Sequence, residues 1–151
     1  MTSSEFESDL AELRGEIEEG RRELSRVIEA VAADAFEIAP RGEWSIERIL
    51  RHVVQSEQLY AAVISTLRGQ SAPAGPPLPA RFESGEQVLA SLAESRQLVL
   101  AALEGVTEDQ FYELRQIGMN EESIKSVLEN LAMHDDEHAH QIRKTVGEVR
   151  K

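Results

Sequence analysis

The sequence predicts an all-α fold, a bundle of four main helices with one short extra helix. Apolar residues recur at steps of three and four along long segments, as in helices that bury one face. Capping residues precede these segments, and no stretch alternates apolar and polar residues as a half-buried strand does. The 151 residues, 41% of them hydrophobic, can bury one full core, so we expect a single domain over residues 1–151.

The first helix is predicted by a coiled-coil-like seam near the N-terminus. Its apolar or small residues are spaced alternately by four and three: Phe6, Leu10, Leu13, Ile17, Gly20, Leu24, Val27 and Val31. Ser3 or Ser4 can cap the start, and we expect the end between Val31 and Ala35. Glycine in a helix interior lowers helix stability by about 1 kcal/mol relative to alanine. Gly20 therefore either allows a neighbouring helix to approach closely or is simply tolerated.

The second helix is expected to begin after Ser45, a good N-cap residue, and to end at Gly69. Trp44 can pack on Ile49 as a hydrophobic staple, and lining a pocket is its less favoured alternative. Residues 70–83 hold four of the five prolines and predict an extended linker. Such a linker can span about 46 Å, enough to let the second and third helices run parallel.

Three further helices are predicted after the linker. Two capping boxes mark the first two of them: Ser84 with Gln87, and Thr107 with Gln110. The third helix is expected to end near Gly105, and the short helix after it to run through Leu114. Gly118 then breaks the chain, and Asn120 is expected to cap the last helix, which runs to the C-terminus.

Composition excludes several classes of function. The net charge of −12 argues against binding nucleic acid or an anionic membrane surface, because phosphates would be repelled. The chain has no cysteine, so any metal ion must use nitrogen and oxygen ligands. No apolar run approaches the length of a bilayer span, and the acidic N-terminus does not resemble a signal peptide. We therefore expect a cytoplasmic protein without a membrane partner.

Three histidines form the candidate site. His134 and His138 are four residues apart, which places both imidazoles on the apolar face of the last helix, about 40° apart in projection. His52 lies about 9 Å from the start of the second helix, whereas His134 and His138 lie about 20 and 26 Å from the start of the last. Antiparallel helices with flush ends would bring all three to one level, whereas parallel helices would separate them by more than about 10 Å.

Three imidazoles suit a divalent ion that keeps an open coordination position, which is the composition of catalytic rather than structural sites. Histidine suits Zn, Ni, Fe, Co or Cu, and the sequence does not choose among them. The alternative is that His134 and His138 are histidines at the edge of the core, bonded to other side chains. The sequence identifies no catalytic acid, base or nucleophile.

Several neighbours of the histidines have candidate roles. Gln141 and Glu137 flank the ligand face and are candidates for hydrogen bonds to the ligands or for contact with a substrate. His140 points away from the pair and is expected at the surface. Asp135 and Asp136 lean away and are expected to form a solvated acidic edge.

For four other polar residues a structural role is favoured over contact with a substrate. Arg48 and Arg51 flank His52 and could bind an anionic substrate, although charge pairing at the surface is the preferred interpretation. Tyr60 and Tyr112 could donate to a substrate, but packing with the hydroxyl at the rim is preferred.

Two motifs together resemble the DinB-like superfamily, whose relatives include the YfiT-type proteins. They are the Trp44-Ser45 pair followed by His52, and an HxxxHxxQI pattern formed by His134, His138, Gln141 and Ile142. The resemblance covers essentially the whole chain and implies a four-helix bundle with up-down-down-up connections. It also implies a divalent metal ion held by His52, His134 and His138, and frequent homodimers. The chain departs from the family pattern at His140, where a glycine is usual.

The resemblance implies a metal-dependent enzyme of the thiol S-transferase type, acting on a small-molecule substrate with a low-molecular-weight thiol as cosubstrate. Because the chain has no cysteine, the thiol sulfur would come from outside the protein. A metal-dependent hydrolase, a non-catalytic metal-binding or stress-related bundle, and a member that binds no metal are the alternatives.

Overall fold

The computed structural model describes residues 3–149, with no account of the side chains beyond residue 147. The described part is mostly helical, as predicted. Its helices are α1 (Ser4–Ala30), a 3-10 turn (Ala33–Ala35), α2 (Ile46–Leu67), α3 (Gly85–Leu103), α4 (Glu108–Tyr112) and α5 (Ile124–Val149). Two short strands, β1 (Arg115–Ile117) and β2 (Asn120–Glu122), lie between α4 and α5. No helix in this range is both long and apolar enough to cross a bilayer.

The predicted caps of the first four helices form. The side-chain oxygens of Ser3, Ser45, Ser84 and Thr107 each accept a backbone N–H from the first turn of their helix. Thr107 and Gln110 complete a reciprocal capping box, whereas the Gln87 side chain accepts from the N–H of Glu83, one residue before the cap. Residues 70–83 contain no helix, as their prolines predict.

The prediction that the chain has no strand was wrong, and so was the prediction of Asn120 as a helix cap. Asn120 pairs with Ile117 in an antiparallel hairpin, and the Ser123 hydroxyl accepts the N–H of Ser126 at the start of α5. Gly118, with φ of +60°, is the first residue of the two-residue turn, which suits a hairpin whose first central position needs a positive φ. Strands of three residues are too short to show a period of two.

The four long helices run up-down-down-up. Arg68 at the end of α2 donates to the carbonyl of Ala102 at the end of α3, so these two helices are parallel. Along the parallel pair of α1 and α5, Gly20 lies beside Ala132, and Glu23, further along α1, pairs with Arg143, further along α5. A Cβ on Gly20 would lie 3.2 Å from the Ala132 carbonyl oxygen, so the glycine permits the close approach that its place in the seam indicated.

Two apolar clusters fill the bundle and are separated by a layer of buried charge. One cluster includes Phe6 and Phe111, and the other includes Phe36 and Phe82. Between them lie four charged side chains, one from each long helix, which we call the ionic layer: Arg21, Glu57, Arg96 and Asp135. Glu57 and Asp135 are each only 1% exposed.

The ionic layer corrects one prediction made for α5. Asp135 is buried and paired with Arg21 at 3.0 Å, rather than part of a solvated edge, whereas Asp136 is exposed as expected. The Asp135 side chain points into the bundle, where it meets Arg21 and Arg96, and not into solvent. Desolvation raises the pKa of Asp135, although Arg21 and Arg96 oppose the shift.

Candidate metal centre

The structure brings His52 of α2 together with His134 and His138 of α5. One ring nitrogen from each histidine can be chosen so that all three lie within 4.8 Å of one another. The two helices run antiparallel, because Arg115, shortly before the start of α5, donates to the Leu67 carbonyl at the end of α2, whereas His52 near the start of α2 meets the middle of α5. All three side chains are half-buried, so they face a site that is neither sealed nor fully solvated.

Hydrogen bonds fix the orientation of the His138 ring. The Nδ1 atom of His138 lies 2.8 Å from Oε1 of Gln141, an oxygen that can only accept, so Nδ1 carries the proton. In the neutral ring the lone pair is then on Nε2, which lies 3.0 Å from Nε2 of His134. Gln141 therefore leaves the inward nitrogen of His138 free to act as an acceptor or a metal ligand.

Burial favours the neutral form of two of the histidines. Desolvation, with repulsion from His138 and His52, lowers the pKa of His134 to about 4. Desolvation, with repulsion from His138, also lowers the pKa of His52. Both rings are therefore uncharged near pH 7, which is the form in which imidazole binds a metal ion.

The lowered pKa of His134 predicts its behaviour on acidification of the metal-free protein. We expect the ring to titrate with a midpoint near pH 4 instead of the ordinary 6.5. The unfolded chain binds more protons than the folded chain between these values, so this histidine makes the fold less stable as the pH falls through that window. NMR of the ring protons, assigned with a His134→Gln variant, measures the midpoint. A midpoint near the ordinary value would contradict the burial argument.

The donor set fits a divalent transition-metal ion. Two nitrogens at 2.0–2.1 Å from a shared zinc ion lie roughly 3 to 4 Å apart, depending on the angle, and the His134–His138 separation of 3.0 Å is at the short end of that range. Among the described residues, no aspartate, glutamate, cysteine or further histidine joins the group. Three protein ligands with no fourth leave room for an exogenous ligand.

Aromatic side chains border the three histidines. Trp44, 36% exposed, lies edge-on to His52 with ring centroids 5.4 Å apart, so it borders the cluster. Tyr60 lies edge-on to His134 at 5.8 Å. Desolvation, together with Glu137 and Glu122, raises the pKa of Tyr60, which keeps its phenol protonated and able to donate.

Other residues considered from the sequence lie outside the group of ligand atoms. Glu137 is exposed and, in the described range, makes no hydrogen bond to the histidines. Tyr112 donates to Asp9 at 2.6 Å, away from the site. Arg51 pairs with Glu47 at 3.1 Å, as the surface-pairing interpretation predicts. His140 is exposed, as its position on α5 predicts.

The ionic layer is the feature near the site that the sequence reasoning missed. Glu57 lies one helical turn beyond Val53 on the buried stripe of α2, and its carboxylate favours the charged form of His134. Glu57 accepts from Ser95 at 2.5 Å and pairs with Arg96 at 2.8 Å. A charged residue on an apolar stripe is the signal that could have revealed it, since such a residue is rarely buried without a partner.

Replacing Gln141 by leucine is expected to weaken metal binding by about 10- to 100-fold, the usual contribution of a hydrogen-bond partner to a ligand histidine. Leucine fills a similar volume but cannot hold the Nδ1 proton of His138, so the ring loses its fixed tautomer. Competition with a chelating indicator measures the affinity. Gln141→Glu, which retains an acceptor, is the matched control and should bind within a few-fold of wild type. Unchanged affinity in the leucine variant would contradict a supporting role for Gln141.

Comparisons with known proteins agree with this architecture. The family model of the DinB superfamily matches residues 9–142, a range that includes all three histidines. The crystal structure of a DinB-like protein, YjoA, from Bacillus subtilis is similar with a TM-score of 0.69 and covers 93% of each chain. The sequences are 18% identical, so this likeness shows the fold alone. No protein among those of curated function matches the sequence.

Proposed function

This chain belongs to the DinB superfamily, and from that premise we propose that it binds a divalent metal ion through His52, His134 and His138 and acts as a metal-dependent enzyme. The observation that carries the proposal is the meeting of three ring nitrogens within 4.8 Å, with no fourth protein ligand among the described residues. Structural sites are usually closed by four protein ligands, whereas catalytic sites keep a position open.

The reaction we propose is attack by the sulfur of a low-molecular-weight thiol on an electrophilic carbon of a small molecule. The thiol loses its proton to solvent as the C–S bond forms; in a substitution a leaving group departs with its electron pair, and in an addition the substrate takes up a proton from solvent. A bound divalent ion would supply a Lewis-acid position that favours the thiolate, the nucleophilic form of the cosubstrate. The chain has no cysteine to serve as the nucleophile itself, so the thiol comes from solution. The class of reaction follows from the family resemblance and not from a particular side chain.

The surrounding side chains have separate tasks in this proposal. Gln141 holds the His138 tautomer through its 2.8 Å hydrogen bond. The protonated phenol of Tyr60, whose ring lies beside His134, would donate to a developing negative charge on the substrate. The indole of Trp44 lies against His52 and would border a bound substrate on that side. The cytoplasmic location and the homodimer remain predictions.

The proposal is tested with protein purified without a histidine tag. Elemental analysis of the purified protein should find close to one equivalent of a transition metal, and its identity selects among the ions that histidine suits. Metal-loaded protein is then assayed for conjugation of a thiol to an electrophile, with His138→Ala as the comparison. Equal rates in the two proteins would remove the enzyme assignment. Absence of metal in wild type after reconstitution would remove the metal site as well.

A further inference from the structure

Arg48 is a positively charged residue of α2 that lies one helical turn before His52. Its side chain is exposed and, within the described residues, makes no ion pair with a carboxylate. Arg51, its neighbour on α2, is paired with Glu47 at 3.1 Å and also donates to the Pro79 carbonyl at 2.9 Å. Of the two arginines beside His52, Arg48 is thus the one free to bind a ligand.

The indole of Trp44 holds Arg48 in place. The guanidinium carbon lies 4.3 Å from the centroid of the Trp44 ring, a cation–π contact, and the same ring lies edge-on to His52 at 5.4 Å. Stacking uses the flat face of the guanidinium, whereas its N–H donors lie in its plane and remain available at the edge. The Trp44 indole therefore lies between the Arg48 guanidinium and the imidazole of His52 and contacts both.

The local charge contrasts with that of the whole chain. The net charge of −12 would repel a small anion from most of the surface, so an anionic substrate needs a local cation to approach the histidines. Arg48 stands in the first turn of α2, where the helix dipole also favours negative charge. A planar guanidinium binds a carboxylate through two parallel hydrogen bonds.

We propose that the thiol cosubstrate of this protein carries a carboxylate, and that Arg48, stacked on Trp44, binds this group while the sulfur end faces the three histidines. This inference rests on the proposed function, because it assumes that the sulfur of the same thiol binds at the open position of the metal ion. Arg48 is then a specificity residue that selects anionic over neutral thiols.

The test uses cobalt-loaded protein and two thiols of equal chain length, mercaptopropionate and mercaptopropanol. Their affinities are measured from the absorption change of the cobalt ion. Wild type is expected to bind the anionic thiol roughly 3- to 10-fold more tightly than the neutral one, as for a charge-assisted contact at an exposed rim. Arg48→Gln should lose this preference and bind mercaptopropanol as wild type does. Arg14→Gln, which removes an exposed arginine from α1, controls for the change in net charge and should keep the preference.

A second measurement needs no metal. Trp44 is the only tryptophan of the chain, so its fluorescence reports on this position alone. Arg48→Gln is expected to lower the ratio of iodide quenching to acrylamide quenching, because neutral acrylamide corrects for the part of the indole that the shorter side chain uncovers. An equal ratio in the two proteins would overturn the local attraction of anions.

The outcomes separate this inference from the proposed function. If cobalt-loaded wild type binds both thiols with equal affinity, the role of Arg48 is overturned and the metal site is not. The same holds if Arg48→Gln prefers the anionic thiol as strongly as wild type does. Cobalt binding without binding of either thiol overturns both the thiol reaction and this inference. A wild-type protein that binds no cobalt overturns the metal site, and this inference with it.

Discussion

Replacing His138 with alanine is expected to lower the affinity for a divalent metal ion by at least about 100-fold, beyond the usual effect of losing only a hydrogen-bond partner of a ligand. The His138 ring contacts both other rings, with centroids 4.2 Å from His134 and 5.1 Å from His52. Its loss removes one of three nitrogens and leaves two ligands from different helices.

The matched control for this change is His140→Ala. His140 is two residues further along α5, is exposed and does not belong to the group of ligand atoms, so its removal should leave the affinity unchanged. Quenching of Trp44 fluorescence by a bound transition-metal ion offers a direct titration, because the indole lies 5.4 Å from His52. Parallel losses in the two variants would point to nonspecific binding and contradict the three-histidine site.

Metal binding should also stabilise the fold, because its ligands come from α2 and α5 and meet only in the folded chain. At a free metal concentration 100 times the Kd, the expected gain is about 2.7 kcal/mol, which raises the Tm of a chain of this length by roughly 5–11 °C. Wild type and His140→Ala should show this rise, whereas His138→Ala should not. The same thermal scans in excess chelator give the baseline.

Replacing Glu57 with leucine is expected to destabilise the fold by about 3–5 kcal/mol, the typical cost of removing one partner from a buried ion pair. Glu57 is 1% exposed and pairs with Arg21 at 2.9 Å and Arg96 at 2.8 Å. Without it, the half-buried guanidiniums of Arg21 and Arg96 would face the single carboxylate of Asp135. Urea unfolding followed by circular dichroism measures the change, with an unaltered m-value required for the comparison.

The control for the ionic layer is a glutamate paired at the surface. Glu18 pairs with Arg22 at 3.5 Å with both side chains exposed, so Glu18→Gln should change stability by less than about 0.5 kcal/mol. Replacing all four charged residues of the layer with apolar ones removes the desolvation cost together with the pairing. We therefore expect the fourfold variant to be more stable than Glu57→Leu. A Glu57→Leu protein as stable as wild type would show that the layer is not held by these pairs.

Much of the fold followed from local signals in the sequence. The N-cap residues Ser45, Ser84 and Thr107 act on the backbone N–H groups of the next turn, so their effect does not depend on the rest of the bundle. Prolines prevent a helix over residues 70–83 through their own backbone. Spacing also placed His134 and His138 on one face, because a helix has a fixed period.

The errors came from structure that depends on distant contacts or on very short elements. The hairpin around Gly118 has three-residue strands, and only the two-residue turn carried a local signal. Asp135 was predicted to be solvated because it points away from the face of α5 that carries the histidines. Its partner Arg21 comes from α1, and no property of either segment alone indicates that pairing.

The sequence by itself determined that this is a helical bundle with two imidazoles on the buried face of its last helix, because helix period and capping act between residues close in the chain. Only the tertiary structure decided that His52 reaches those imidazoles, that Glu57 and Asp135 are buried against Arg21, and that Arg48 lies over Trp44. These features depend on the relative direction and depth of separate helices. That arrangement is set by packing over the whole core, which no local pattern encodes.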